Sequence, residues 1–236
     1  MEKKELLYEG KAKKVYTTED PQVLIVSYKD DATAFDGMKK GTIVGKGAIN
    51  NRMTNHIFRL LEKKGVPTHL IEELNDRETA VKKVEIVPLE VIIRNYSAGS
   101  FAKKMGMEEG IHLSRPTLEF SYKNDDLHDP FINRYYALAL NLATEAEIDA
   151  ITKYAFIVNE VMSEYFASLG IDLIDFKIEF GRLADGTIIL ADEVSPDTCR
   201  LWDKDTHEKL DKDRFRRDLG NVEDAYQEVF RRLGIQ

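Results

Sequence analysis

The sequence predicts an α+β fold, and three observations carry that prediction. A strand-rich stretch opens the chain, a strictly alternating run at residues 174–180 leads into a hairpin turn, and two long apolar faces at helical spacing bracket that run. With 236 residues, 43% of them hydrophobic, the chain can form one large domain or two small lobes, each burying a core. Its net charge of -8 and pI near 5.3 argue against a non-specific electrostatic grip on nucleic acid or an anionic membrane, while leaving local lysine clusters free to hold small anions. The single cysteine, Cys199, precludes an intrachain disulfide and fits a reducing compartment. Met1 to Glu5 lacks the apolar core of a signal peptide, and no apolar run approaches the roughly 20 residues that span a bilayer. The expected location is cytoplasmic.

Taken in order, Leu6 to Glu9, Lys13 to Tyr16 and Val23 to Tyr28 read as strands, the last two separated by the turn-forming Thr17 to Pro21. Asn51 to Lys64 carries Met53, Ile57, Leu60 and Leu61 at helical intervals and stops at Gly65. Thr79 to Val87 and Leu89 to Asn95 read as two extended runs broken by Pro88, a candidate hinge, because proline cannot donate to a sheet ladder. Thr144 followed by Glu147 forms a capping box that opens a helix whose face runs Ile148, Ile151, Ala155, Val158, Met162, Phe166 and Leu169 before Gly170. From Arg214 onward, Phe215, Leu219, Val222, Tyr226, Val229 and Leu233 predict one closing helix.

The run Ile174 to Phe180 alternates, with Ile174, Phe176, Ile178 and Phe180 on one face and Asp175, Lys177 and Glu179 on the other. Asp185-Gly186 signals a two-residue hairpin, and Thr187 to Val194 is expected to return antiparallel. If Ala184 pairs with Thr187, Glu179 falls directly opposite Asp192. Facing carboxylates destabilise a sheet unless a cation or a shared proton compensates, and hard oxygen donors with no His or thiolate nearby favour Mg²⁺. Two solvated acids on an exposed face fit the pattern about as well, since a one-residue slip would separate them.

Other segments carry weaker signals. Arg94 to Ser100 joins an apolar strand to a short helical run, Phe101 to Met105, an arrangement that suits a phosphate but equally an ordinary Ser-capped helix. Lys11 and Lys13 share a side of the extended segment after Gly10, where they suit nucleotide phosphates or simply protect an edge strand. Walker A spacing is absent. Ser195 to Arg200 leaves the hairpin through a turn that can return Arg200 to the same pocket. Cys199 has no activating base beside it, and His56, His69, His112, His128 and His207 show no metal-ligand spacing.

Taken together, Tyr8-Glu9-Gly10-Lys11-Ala12-Lys13, Phe35-Asp36-Gly37, Lys46-Gly47 with Asn50-Asn51, Val91 to Ser100, Lys123-Asn124-Asp125 with His128-Asp129-Pro130, Asp175-Phe176-Lys177 through Glu179-Phe180-Gly181, and Asp192-Glu193 to Trp202-Asp203 resemble the SAICAR synthetase family from about residue 5 to the carboxyl terminus. That resemblance implies two α+β lobes. Residues 1–87 would form a nucleotide-binding lobe like the small lobe of protein kinases, and residues 88–236 an ATP-grasp-like lobe carrying the metal and substrate site. It implies ATP-dependent ligation of carboxyaminoimidazole ribotide (CAIR) to L-aspartate, with Mg²⁺, in a homodimer. Lys11, Lys13 and Lys123 would contact nucleotide phosphates, and Lys82, Val84 and Ile86 would lie along the adenine. Glu179 and Asp192 would bind metal and nucleotide. Arg94, Ser100 and Arg200 would clamp the ribotide phosphate. Asp175 and Lys177 would contact the ribosyl-imidazole and its carboxylate, and Asp36 the reacting end. A phosphotransferase or a non-catalytic nucleotide sensor are the competing readings.

Overall fold

The computed structural model describes residues 1–34 and 37–235. In chain order it comprises β1 (Leu6–Glu9), β2 (Lys13–Thr17), β3 (Val23–Tyr28), β4 (Asp31–Ala34), β5 (Lys39–Thr42), α1 (Lys46–Glu62), β6 (Leu70–Asn75) and β7 (Glu78–Lys82). There follow β8 (Glu85–Tyr96), α2 (Gly99–Met105), β9 (His112–Tyr122), β10 (Phe131–Ile132), α3 (Arg134–Ala139), α4 (Glu145–Ser168), β11 (Ile171–Arg182), β12 (Ile188–Ala191), β13 (Cys199–Asp203), α5 (Asp213–Arg216) and α6 (Val222–Leu233). Five strands form one antiparallel sheet in the order β1-β2-β3-β7-β6, and six form a second, β10-β9-β8-β11-β12, with β13 also on β11. The chain passes from one sheet to the other at residues 83–84. The main core fills the space among α1, α4 and the second sheet, with Ile57, Phe58, Phe166, Phe176 and Phe180 fully enclosed. This is the α+β arrangement expected from the sequence.

Two strands share one edge of β11. Arg182 pairs with Ile188 at one end, Asp175 pairs with Arg200 at the other, and residues 192–198 loop outward at the changeover. Helix α1 anchors that loop. Lys46, Asn50 and Thr54 recur at four-residue spacing, so they lie on one stripe. They reach Asp197 at 2.7 Å, Glu193 at 3.4 Å and the Val194 carbonyl at 3.1 Å.

Four elements depart from the sequence expectation. Helix α1 starts at Lys46 rather than Asn51, because its first turns bury polar side chains that hydrophobic periodicity does not register. Strand β8 runs unbroken through Pro88. Glu90 faces Glu179 and Ile86 faces Gly181, so Pro88 sits in a bulge where no ladder bond to β11 is required. The closing helix is broken between α5 and α6, since Asp218, Gly220 and Asn221 all adopt positive φ and Leu219 is exposed. The hairpin register is shifted by one, with Glu179 opposite Ala191.

Gly45 precedes helix α1 at the capping position and has no side chain to cap it. Asp30 does so instead, accepting the Gly47 N–H at 2.8 Å and the Gly45 N–H at 3.2 Å, and Arg77 holds it by two further bonds. A side chain at Gly47 is excluded, because its Cβ would lie 2.7 Å from the Tyr28 carbonyl. Burial opposes ionisation of Asp30, but Arg77 and the two amides outweigh it and bring its pKa down to about 2. A depressed pKa gives stability that is complete above the free carboxylate value of about 4 and disappears as pH falls through about 2. Asp30→Ala should therefore cost about 1–2 kcal/mol in urea unfolding at neutral pH, with the deficit fading in acid across that interval.

Candidate active site

Strand alternation delivers Asp175, Lys177 and Glu179 to one face of β11. The neighbouring strands extend that face, with Glu90 and Arg94 of β8 opposite Glu179 and Asp175, and Arg200 of β13 also opposite Asp175. Asp175, Glu179 and Arg94 are buried.

In the observed register Asp192 would follow Ala191 onto the wrong face. Its backbone instead turns left-handed, with φ 58°, a conformation that aspartate tolerates better than most residues. The carboxylate is thereby returned to the site. Lys177 Nζ lies 2.6 Å from Glu179 Oε1 and 3.3 Å from Asp192 Oδ2, so both carboxylates meet one ammonium. The predicted convergence holds, but a backbone kink produces it rather than cross-strand pairing.

The surrounding charges are dense. Lys13 donates to Asp192 and lies 2.7 Å from Glu193, Lys123 donates to Glu179 at 2.9 Å, and Glu90 stands 3.6 Å from Lys177. Burial opposes ionisation of Asp192, yet Lys13 and Lys177 prevail and hold its carboxyl far below the usual range. Burial likewise works against the Lys13 and Lys177 ammoniums, and the facing carboxylates raise both well above the ordinary lysine value. Glu90 is raised, chiefly by burial, which Lys177 only partly offsets. Among the described residues no cluster of three or more His, Cys, Asp or Glu side chains suits a metal. A cation at Glu179 and Asp192 would take its other ligands from substrate and water, which is how Mg²⁺ is commonly held.

Two cavities open on this face. The smaller, about 270 Å³, is lined by Arg94, Ser100, Asp175, Lys177, Arg200 and Arg216 among others. Arg94 and Arg200 each donate to Asp175 Oδ2, at 2.7 and 2.8 Å, while Glu119 and Asp213 hold their Nε groups at 3.0 and 2.8 Å. The two guanidiniums are thus fixed beside one another at this cavity. Gly99 permits this close packing, since a Cβ there would lie 2.4 Å from Arg200 Nη2. Ser100 does not cap α2. The cap is Ala98, Ser100 sits in the first turn, and Glu109 takes the Gly99 N–H at 2.8 Å.

The larger cleft, about 1080 Å³, is lined by Lys11, Lys13, Lys123, Lys177, Glu179 and Asp192 and bounded by Gly10 and Ala12. Lys11 reaches Asp125 across it at 3.0 Å. Lys82, Val84 and Ile86 line neither cavity. Lys82 donates to the Thr68 carbonyl at 3.1 Å, Val84 packs on Gly181, and Ile86 pairs with Gly181 at the changeover between sheets. Asp36 lies outside the described residues. Cys199 is buried, and burial pushes its thiol up, which disfavours the thiolate.

Several site residues escaped the sequence reading. Glu90 was legible in principle, since Glu90, Ile92 and Arg94 alternate as Asp175, Lys177 and Glu179 do. Glu193 and Asp197 come from an irregular loop with no periodicity. Asp197 accepts from Lys46 at 2.7 Å and from Tyr226 at 2.6 Å, a contact between α1 and α6 that no local pattern encodes.

Comparison with known proteins places these features in context. The model of the family described as SAICAR synthetase matches residues 6–233. A phosphoribosylaminoimidazole-succinocarboxamide synthase of Lachnoclostridium phytofermentans is 75% identical over 100% of both chains. The crystal structure of the enzyme of that name from Ehrlichia chaffeensis superposes with a TM-score of 0.96 at 44% identity, covering 98% of each chain. A SAICAR synthetase in complex with ADP gives a TM-score of 0.93 at 48% identity, covering 95% of this chain and 96% of the other.

Proposed function

The chain belongs to the SAICAR synthetase family, and from that premise we propose how its side chains divide the work. It is an ATP-dependent ligase of purine biosynthesis that forms SAICAR. The observation that most supports the residue-level reading is the convergence of Glu179 and Asp192 on Lys177, between a cleft lined with lysines and a pocket lined with arginines.

In this reading ATP lies in the larger cleft with its phosphates along Lys11, Lys13 and Lys123 and its adenine toward the segment containing Lys82, Val84 and Ile86. The ribotide phosphate of CAIR sits between Arg94, Ser100 and Arg200, its ribosyl-imidazole against Asp175, and its carboxylate toward Lys177. Glu179 and Asp192 would hold Mg²⁺, which neutralises phosphate charge when bound. A carboxylate oxygen of CAIR attacks the γ-phosphorus, the bond to the bridging oxygen breaks and ADP leaves. The aspartate amine then attacks the acyl carbon, and the carbon–oxygen bond to phosphate breaks. Phosphate departs with the electron pair and the nitrogen loses a proton. No protein nucleophile is needed, so the chain contributes position and electrostatics. The resemblance supports two further proposals, a homodimer and a cytoplasmic location. No helix among the described residues is long and apolar enough to cross a membrane.

An ADP-release assay with each substrate omitted in turn tests the reading. Release that requires CAIR and L-aspartate together supports it, whereas a stable phosphorylated product formed without aspartate would identify a phosphotransferase. Arg200→Ala should raise the KM for CAIR about 10- to 100-fold, the worth of one charge-assisted bond to phosphate. Initial-rate kinetics in which only the KM for ATP moved would contradict the clamp.

A further inference from the structure

The dicarboxylate amine has no assigned place in the site described so far. Glu90, Lys177, Asp197, Thr198 and Arg216 line both cavities, and so mark where they join. Amide formation belongs at that junction, because the reacting carboxylate must face the nucleotide phosphates on one side and its own ribotide on the other. The incoming amino acid brings two carboxylates, so its subsite requires cations beyond those already paired around the metal carboxylates.

Two cations meet that requirement. Lys212 lines the larger cleft with its side chain only 13% exposed, and among the described residues the one carboxylate within 4.0 Å of its ammonium is Asp197, at 3.6 Å. That carboxylate is already engaged by Lys46 at 2.7 Å and Tyr226 at 2.6 Å. Burial keeps the Lys212 ammonium below the ordinary lysine range, with Asp197 compensating only in part. Arg216 lines both cavities and gives Asp213 a single bond through Nη1, at 2.7 Å. The Arg216 amide donates to the Lys212 carbonyl at 2.9 Å, one helical turn away, which sets the two side chains on the same face.

We infer that Lys212 and Arg216 bind the two carboxylates of L-aspartate and so aim its amine at the junction, an inference that rests on the ligase reading above. The test is steady-state kinetics of the full chain carrying Lys212→Met, beside Lys212→Arg and the unaltered protein, with ATP, CAIR and L-aspartate varied in turn. Lys212→Met should raise the KM for L-aspartate about 10- to 100-fold and leave those for ATP and CAIR within about twofold, as loss of one charge-assisted contact requires. Lys212→Arg, which keeps the charge, should restore much of the affinity for L-aspartate. An unchanged aspartate KM, or an equal rise for all three substrates, would overturn the assignment. Failure of the unaltered chain to form SAICAR would instead overturn the ligase reading beneath it.

Discussion

Asp192→Asn should lower turnover about 100- to 1,000-fold, the scale seen when one preorganised electrostatic contact to a reacting group is removed. The amide keeps the size and much of the hydrogen bonding of the carboxylate, so unfolding by urea should shift little. What disappears is half of the paired negative charge that meets Lys177. Glu179→Gln removes the other half and should behave similarly. If Glu179 and Asp192 hold Mg²⁺ as proposed, both variants should require more magnesium to reach half-maximal rate, since each would keep one charged ligand in place of two. Unaltered rates at limiting magnesium would remove these residues from the metal site.

Lys177→Met should have the larger effect, about 1,000-fold or more on kcat/KM, because under the proposed roles it removes a cation beside the reacting carboxylate, and it leaves Glu179, Asp192 and Glu90 with only Lys13 and Lys123 to offset their charge. Stability should also fall. A pair broken in a fully buried site costs about 3–5 kcal/mol, and the loss here should lie nearer 2–3 kcal/mol because Lys177 is 25% exposed and water screens part of the repulsion. A divalent cation that binds the native carboxylates should recover part of it. Melting curves with and without MgCl₂ check this. The variant should gain more from magnesium than the unaltered chain, and equal gains would show that the carboxylates do not compete for a cation.

The contrast between Glu179 and Asp192 shows how much of the site was legible. Alternation placed Asp175, Lys177 and Glu179 on one face, because Phe176, Ile178 and Phe180 all enter the main core on the other, whereas Ile174, expected with them, packs against Ala98 and Trp202 beyond a bulge at residues 173–175. Asp192 was expected beside Glu179 through a register the structure does not have, and the two side chains nonetheless meet at Lys177. A left-handed residue at a strand end has no periodic signature, and here it reverses the consequence of a one-residue slip. The capping box at Thr144 and the buried face of α4 appeared as expected, since local hydrogen bonding and a long apolar stripe agree. The early start of α1 was hidden for the opposite reason. Lys46, Asn50 and Thr54 are buried to hold the loop at 192–198, a partner 140 residues or more away for Thr54, Asn50 and Lys46 alike. Asp30 capping α1 from the β3–β4 turn belongs with them. Long-range polar contacts, not hydrophobic pattern, made up most of what was missed.

The central claim is that ATP activates a carboxylate of the ribotide as an acyl phosphate before the amine attacks. Its most direct test follows oxygen. CAIR labelled with ¹⁸O in its carboxylate should, during turnover with ATP and L-aspartate, deliver one labelled oxygen to the phosphate released. Phosphate free of label, formed in step with SAICAR, would contradict the mechanism.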